Sequence, residues 1–393
     1  MSDDISSIID TLWTVLPRGG GRTIGLHEPE FGATERAYLL DCIDSTFVSS
    51  VGKYVDRFEQ MLCDFTGAKR AVAVMNGTAA LHIALQVAGV KTGDEVLVPD
   101  LTFIASANAV SYCGATPHFV DSNASTLGLD PEKVDRWLGE TASVVDGVCR
   151  NKKTGARIAA VVPMHTFGHP VDLDALIDVA ARWKLPIVED AAESLGSYYK
   201  GKHTGRLGVM GVLSFNGNKT ITTGGGGAVI TDDVKLADRL KHLTTTAKVK
   251  HAWDFIHDEV GYNYRMPNLN AALGCAQMEK LPEFLAEKRA LAAKYRAVFA
   301  GHPVAAFVDE PANSHSNFWL NVLLLRADKA DLLPALLERT NAAGIGTRPV
   351  WTLMHKLPMY AHCPRMDVST SEDLAHRLIN VPSSAHLGRA HAA

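Results

Sequence analysis

Short apolar runs alternate with longer amphipathic segments along most of the chain. The run at residues 71–76 is typical of a buried strand, and the segment after it has helical spacing as far as Gly89. The same alternation recurs up to the strand-like run PIVEDAA at residues 186–192. Near-continuous β-branched runs are expected where helices cover both faces of a parallel sheet. The pattern therefore predicts an α/β fold with a mainly parallel sheet.

The same pattern divides the chain into three parts. Residues 26–265 are predicted to form a large α/β/α domain, and a long helix is predicted to begin near Asn268. Residues 266–393 would comprise this linking helix and a smaller C-terminal α+β domain. Residues 1–25, with flexibility expected around Gly19–Gly21, look like an N-terminal arm packed on the surface or on a partner. A chain of 393 residues exceeds the size at which one core keeps growing, which favours two domains.

Charge and composition narrow the function classes. The formal net charge is -4 and no dense Lys/Arg block occurs, so neither nucleic acid nor a membrane surface is expected as a partner. The first residues are acidic and no apolar stretch reaches about 18 residues, which favours a cytoplasmic protein. The six cysteines stand singly, so neither disulfides nor a metal site are expected.

One lysine stands between two predicted strands in the strongest single motif. It ends the sequence Ser214-Phe215-Asn216-Gly217-Asn218-Lys219, and Gly224–Gly227 follow before the next strand. A lysine among glycines is by itself more often solvent-exposed than catalytic. Its role therefore depends on what other strand ends bring beside it.

Two acidic residues, Glu189 and Asp190, end another predicted strand. A carboxylate at the carboxyl end of a parallel strand can meet a ligand in the crevice there. Its burial is costly unless a cation pairs with it. A protonated pyridine nitrogen would be such a cation, although a helix cap or an internal ion pair is the alternative.

A third strand end runs into a helix at Asn76-Gly77-Thr78. Free backbone N–H groups and the positive end of the helix dipole suit a phosphate at such a place. A plain capping turn is the alternative. Together, a phosphate cradle, an aromatic residue, a carboxylate and a lysine follow one another as Thr78, Phe103, Asp190 and Lys219.

In these segments the chain resembles the DegT/DnrJ/EryC1/StrS family of nucleotide-sugar aminotransferases. Further matching motifs are FVSSVGKYVDRFE, PDLTFIASANAV, VEDAAES and GYNYRMPNLNAALG, so the resemblance covers nearly the whole chain. Within the family, the chain is most similar to the bacillosamine- and legionaminic-acid-pathway branch. The resemblance implies a fold-type I, aspartate aminotransferase-like transferase that uses pyridoxal 5'-phosphate.

The resemblance also implies roles for individual residues. Lys219 would carry the cofactor as a Schiff base and move a proton, and Asp190 would pair with the pyridine nitrogen. The other expected cofactor contacts are Gly77, Thr78, Ala79 and Ser214 at the phosphate, Phe103 on the ring, Glu193 at the phenolic oxygen, and Asn263 at the phosphate of the neighbouring subunit. Glu193 departs from the Gln or His that such families often have there. The possible substrate contacts are His165, Arg265, Arg348 and His355.

The activity implied is transfer of an amino group from L-glutamate, leaving 2-oxoglutarate, to C4 of a UDP-linked 4-keto-6-deoxy sugar. The enzyme would be a homodimer with a shared active site and would serve amino-sugar and surface-glycan biosynthesis. Alternatives are a GDP-linked sugar, a 3-keto sugar or a keto-sugar acid. Relatives that lack the lysine dehydrate the sugar instead, and Lys219 argues against that chemistry. A distant alternative is an NAD-binding oxidoreductase, but its glycines should open a helix rather than lead into a strand. A non-catalytic regulator is disfavoured.

Overall fold

A computed structural model of the protein describes residues 2–18 and 23–389. The helices of these residues are α1 (Ser2–Val15), α2 (Ala33–Ser45), α3 (Lys53–Thr66), α4 (Gly77–Val87), α5 (Ile104–Tyr112), α6 (Pro131–Thr141), α7 (Leu173–Trp183), α8 (Val234–Thr244), α9 (Asn268–Val298), α10 (Leu333–Ala342) and α11 (Ser369–Arg377). The strands are β1 (Arg70–Val74), β2 (Glu95–Pro99), β3 (Thr116–Val120), β4 (Ala142–Val145), β5 (Val148–Asn151), β6 (Ile158–Val161), β7 (Val188–Asp190), β8 (Tyr198–Tyr199), β9 (Lys202–His203), β10 (Met210–Ser214), β11 (Gly227–Thr231), β12 (Ala305–Phe307), β13 (Ser314–His315), β14 (Asn321–Leu325), β15 (Arg348–Pro349) and β16 (Leu378–Val381).

The central sheet has the strand order β1-β11-β10-β7-β6-β2-β3. It consists of a four-stranded and a three-stranded part, which join where Val161 and Met164 pair in parallel with Ile187 and Asp190. Strand β11 is antiparallel to both of its neighbours, and the other adjacent pairs are parallel. The prediction of an α/β fold with a mainly parallel sheet is confirmed.

Helices cover this sheet on both faces, as the fully buried strands require. On β1, Val72 and Val74 pack into a core shared with α4, α5 and α8. Ala71 and Ala73, which point to the opposite face, pack into a core shared with α3 and α9. Alternate residues of the strand therefore belong to two apolar layers, one on each face of the sheet. The ends of the strands lie outside these layers and can contribute to a site.

The carboxyl ends of the parallel strands lie along one edge of the sheet. Strand β1 leads there into the start of α4, β7 ends at Asp190, and β10 ends at Ser214. The loop between β10 and β11 carries Lys219 over the same edge. Ligand crevices of open α/β sheets form at this edge, so the fold itself gathers the residues singled out above.

The C-terminal part of the chain has its own antiparallel sheet, of order β12-β14-β16-β15. The long helix α9 begins at Asn268, where the sequence predicted it. Its buried Leu291 and Tyr295 pack with Leu336 of α10 and Val381 of β16 in a separate apolar core. The domain boundaries predicted above remain predictions.

The N-terminal segment forms a helix where the structure describes it. Ile8 and Leu12 of α1 are 0% exposed and belong to the same core as α9 and α10. Beyond the helix, Ile24 pairs with Ile345. The expected flexibility at Gly19–Gly21 lies outside the described residues. Among the helices in the described ranges, not one combines the length and apolar character that a membrane span requires.

Candidate active site

A cavity of about 320 Å³ opens at the carboxyl edge of the central sheet. Seven of the residues predicted for the cofactor line it: Gly77, Thr78, Phe103, Asp190, Glu193, Ser214 and Lys219. Its other lining residues were not predicted: Asn76, Leu81, Ala105, Met164, Ala192, Asn216, Asn218, Gly226, Trp319 and Trp351. The structure therefore brings together residues that are far apart in the sequence. Among the predicted residues, Gly77 and Lys219 are separated by 142 positions.

The start of α4 forms one wall. The Asn76 side chain caps the helix by accepting a hydrogen bond from the Ala79 N–H at 2.8 Å. In the described part of the chain, the N–H groups of Gly77 and Thr78 have no such partner, which leaves two donors at the positive end of a helix dipole. A Cβ at Gly77 would lie 3.0 Å from the Ser214 Cβ, so this turn is pressed against the end of β10.

The turn suits a phosphate, although one of the predicted contacts is already engaged. Gly77, Thr78 and the Ser214 hydroxyl can together surround an anion. Ala79 was predicted to contribute as well, but its N–H is engaged by the helix cap and it does not line the cavity. Asn76 is the N-cap residue and engages this donor in the structure, so a phosphate contact from Ala79 stays a prediction.

Asp190 lies deep in the cavity, at the last position of β7. Its carboxylate accepts hydrogen bonds from the Ser106 hydroxyl at 2.7 Å and from the Ala192 N–H at 3.2 Å. Burial raises the pKa of Asp190, and these hydrogen bonds oppose that shift only in part. A cation placed against this carboxylate would stabilise its ionised form, which is what a protonated ring nitrogen would do.

The neighbouring carboxylate, Glu189, faces the other side of the strand and has a structural role. It accepts hydrogen bonds from the N–H groups of Gly205, Leu207 and Gly208 at 2.6–2.8 Å and from His165 at 3.0 Å. Burial alone would raise the pKa of Glu189, but His165 and these backbone groups hold it below its usual value. The two acidic residues, alike in sequence, therefore have separate functions.

The structure places His165 inside the protein. The side chain is 0% exposed, and both ring nitrogens are engaged, one with Glu189 and one with the Val171 N–H at 3.3 Å. These contacts favour a structural role for His165, and its assignment to substrate stays a prediction.

Lys219 and Glu193 form an ion pair at the centre of the cavity. The Lys219 Nζ lies 3.1 Å from the Glu193 Oε1, and the other carboxylate oxygen accepts the Phe167 N–H at 2.9 Å. Burial raises the pKa of Glu193 to about 7, although Lys219 and the Phe167 N–H favour its ionised form. A carboxyl group that titrates near neutral pH beside a primary amine is typical of proton-transfer sites.

Aromatic rings close the remaining walls. Phe103, at the N-terminus of α5, is 48% exposed, and its ring meets the edge of Trp351 at a centroid distance of 6.3 Å. Trp319 lies against Lys219, with the Nζ 3.7 Å from its ring centroid. Sequence reasoning missed both tryptophans. Trp319 lies in no motif that signalled chemistry, and Trp351 lies between Arg348 and His355 but was not itself singled out.

The other predicted substrate contacts do not line this cavity. His355 is held by Asp100, whose carboxylate lies 2.6 Å from the His355 Nδ1, and Arg348 donates to the Asn341 side chain at 3.0 Å. Arg265 lies in a segment that pairs with Val74. Whether any of the three meets substrate stays a prediction.

Asn263 is exposed on the same segment as Arg265. The adjacent Tyr262 and Tyr264 pack against His82, with centroid distances of 5.0 and 5.9 Å. In an extended segment alternate residues face opposite ways, so Asn263 faces away from the body of its own chain. This placement fits a residue that reaches a neighbouring subunit.

The residues present fit pyridoxal phosphate. Among the described residues, the cavity offers two N–H groups without a hydrogen-bond partner for a phosphate, a buried carboxylate with no ion-pair partner, a lysine amine and an aromatic face. A dinucleotide is a poorer fit, because Gly224–Gly227 lead into β11 and do not open a helix.

The titration of Glu193 makes stability depend on pH. Its pKa rises from 4.5 in a free carboxyl to about 7 in the folded protein, so the native state binds this proton more tightly. The free energy of unfolding that this proton contributes is complete below pH 4.5 and is lost as the pH rises through 7, a change on the order of 3 kcal/mol.

In Glu193→Gln this pH-dependent component should be absent from urea unfolding of the cofactor-free protein, measured across that range at one protein concentration. The exposed Glu283→Gln is the control and should follow the wild type. Parallel profiles for wild type and Glu193→Gln would contradict the assignment.

Comparison with known proteins identifies the family. The profile of the DegT/DnrJ/EryC1/StrS aminotransferase family matches residues 29–393. The GDP-perosamine synthase of Caulobacter vibrioides is 38% identical over 371 residues, covering 93% of this chain and 95% of that protein. A Bacillus subtilis relative, EpsN, described as a pyridoxal phosphate-dependent aminotransferase, is 34% identical over 372 residues, covering 93% and 92%. The crystal structure of the aminotransferase TlmJ from Streptoalloteichus hindustanus superposes with a TM-score of 0.83 at 26% identity, covering 92% of this chain and 93% of TlmJ. The family's cofactor is pyridoxal phosphate, which the cavity fits, and the chain is therefore an aminotransferase that belongs to the DegT/DnrJ/EryC1/StrS family.

Proposed function

We propose that this aminotransferase transfers an amino group from L-glutamate to C4 of a GDP-linked 4-keto-6-deoxy sugar. The observation that carries the proposal is the position of Lys219. Its amine lies in a cavity that also contains Asp190 and the free N–H groups at the start of α4, and it contacts Glu193 at 3.1 Å. These are the groups that an amino transfer with pyridoxal phosphate requires from the protein.

Each of these residues has one proposed task. The N–H groups of Gly77 and Thr78, with the Ser214 hydroxyl, hold the phosphate. The Asp190 carboxylate keeps the ring nitrogen protonated, and Phe103 provides a flat apolar surface. When bound, pyridoxal phosphate supplies an electron sink for the negative charge that develops on the carbon next to the transferred nitrogen.

Lys219 performs the proton transfer. Its Nζ would hold the cofactor, and once released as an amine it would move a proton between two carbon atoms of the bound reactants. Glu193 accepts a hydrogen bond from this Nζ and so fixes its direction.

The relatives support GDP as the nucleotide, where UDP was the main expectation from the sequence. GDP-perosamine synthases from three bacteria are 37% or 38% identical to this chain over at least 92% of its length. This corresponds to the alternative raised in the sequence analysis. The assignment to the bacillosamine and legionaminic-acid branch has no support among these names. L-glutamate as donor rests on the family resemblance.

The nucleotide can be tested directly. The cofactor-loaded enzyme should aminate a GDP-linked 4-keto-6-deoxyhexose with a kcat/KM about 100-fold or more above that for the UDP-linked analogue, because a site built around one base leaves polar groups unpaired with the other. The aminated product is identified by mass spectrometry, its C4 position by NMR, and 2-oxoglutarate is measured in the same reaction. Lys219→Ala is the control and should form no product. Equal rates for both nucleotides, or a preference for UDP, would contradict the proposal.

We propose that the enzyme is a homodimer in which Asn263 completes the site of the partner subunit. Three large apolar side chains close to Asn263 in sequence, Trp253, Phe255 and Val260, are 78–83% exposed in the single chain. Large apolar side chains that are exposed together on a surface usually mark a site where another protein binds. The exposure of Asn263 and the packing of its neighbours on His82 support the same arrangement.

A shared site predicts that two inactive variants restore each other. Lys219→Ala and Asn263→Ala should each be strongly impaired alone. When they are co-expressed, half of the dimers are mixed and one of their two sites has both residues intact, so activity should return to about a quarter of wild type. The matched pair Lys219→Ala and Asp190→Ala should show no restoration, because both residues come from one subunit. A Lys219/Asn263 mixture no more active than the separate variants would contradict the shared site.

A further inference from the structure

The amine of Lys219 lies between a carboxylate and an aromatic face. Its Nζ is 3.1 Å from the Glu193 Oε1 and 3.7 Å from the centroid of the Trp319 ring. The distance to the ring is well inside the range of a cation–π contact. Resting on the proposed function, we infer that Trp319 is a positioning residue, which holds the Lys219 ammonium group at the wall of the cavity when it is not bound to the cofactor.

Trp319 is itself held rigidly. Its indole N–H donates to the Asn218 carbonyl at 2.7 Å, directly beside Lys219 in the chain. Its backbone N–H donates to the Asn317 side chain at 2.8 Å, and its carbonyl accepts from the fully buried Lys288 at 3.1 Å. A ring fixed at both ends and 4% exposed offers a surface of defined position to the lysine.

The approach of this segment depends on Gly168. A Cβ at Gly168 would lie 1.8 Å from the Asn317 Oδ1, so only glycine allows Asn317 to come so close. Asn317 in turn donates to the carbonyls of Glu193 and Leu195, both at 2.9 Å. The segment that carries Trp319 is therefore attached to the loop that carries Glu193.

Phe167 links the two partners of the lysine. Its ring is stacked on Trp319 at 6.5 Å and on Trp351 at 5.2 Å, and its N–H donates to Glu193 at 2.9 Å. The residue has φ = +58°, in the left-handed region that is costly for a bulky side chain. The surrounding structure holds it there, and the result is a closed ring of contacts through Lys219, Glu193, Phe167 and Trp319.

These contacts limit the conformational freedom of the Lys219 side chain. When Lys219 is not bound to the cofactor, its long side chain has many rotamers, and an amine far from the reacting carbon cannot move the proton. Two fixed partners in contact with the same Nζ restrict the amine to one place. The C-terminal part of the chain thereby takes part in the chemistry through Trp319.

The first test measures the chemical reactivity of Lys219 in cofactor-free protein. A limiting pulse of acetic anhydride is followed by peptide mass spectrometry, and acetylation of Lys219 is normalised to that of the exposed Lys235. In Trp319→Leu, which lacks the aromatic face, Lys219 should react about 2- to 30-fold faster. Trp319→Phe keeps a face and should stay near wild type, as should Trp183→Leu, which removes a tryptophan distant from the cavity. Equal Lys219 reactivity in wild type and Trp319→Leu would overturn the inference.

The buried Lys288 reports on folding in the same samples. It must remain unmodified for a variant to be compared. If Trp319→Leu exposes it, Trp319→Met takes its place, with the same expected increase and the same contrary result. Because this assay uses neither cofactor nor sugar, a negative result would leave the proposed substrate untouched.

The second test separates positioning from structural support. In the cofactor-loaded enzyme, Trp319→Leu should lower kcat about 10-fold and leave the KM for the amino donor within about 2-fold, because the displaced group acts in proton transfer and not in donor binding. Trp319→Phe should recover most of the loss. A rise in KM with kcat unchanged, or no recovery by Phe, would overturn the inference.

Discussion

A primary amine and a carboxylate kept together out of water are the interaction on which this structure depends. Neither Lys219 nor Glu193 is stable alone in the cavity, since an unpaired buried charge costs several kcal/mol. Each lowers the free-energy cost of burying the other, and their contact fixes the loop between β10 and β11 against the segment that follows β7. Burial raises the pKa of Glu193 to about 7, so this carboxyl group gains and loses its proton near neutral pH.

The remaining architecture supplies what this pair lacks. Parallel strands bring Asp190 and Ser214 to the same edge of the sheet, and the start of α4 adds two unpaired N–H groups at a helix terminus. The C-terminal part of the chain contributes the rings of Trp319 and Trp351. A cofactor held between these groups would be fixed by charge at two ends and by an aromatic face at its side, and this leaves the lysine free to move a proton.

The sequence predicted those site residues whose positions follow from local structure. Gly77, Thr78, Asp190 and Ser214 stand at strand ends or helix starts, and parallel strands necessarily bring such positions together. The long helix from Asn268 could be predicted for the same reason, because its signals lie within the helix itself.

Residues whose roles depend on side-chain partners could not be assigned in this way. Ala79 was predicted to bind phosphate, but the cap formed by Asn76 takes its N–H. His165 has the same strand-end position as Asp190, yet its ring points into a network with Glu189. Trp319 lies just before β14 of the C-terminal sheet and reaches the lysine across 100 positions of sequence, and no local pattern encodes that approach.

The central claim is that Lys219 is the residue to which pyridoxal phosphate is attached. Borohydride reduction of the cofactor-loaded enzyme makes that attachment permanent, and the modified peptide can then be identified by mass spectrometry. The account predicts a single pyridoxyl group on the peptide that contains Lys219. A pyridoxyl group on any other lysine, or a reduced protein that carries none, would contradict it.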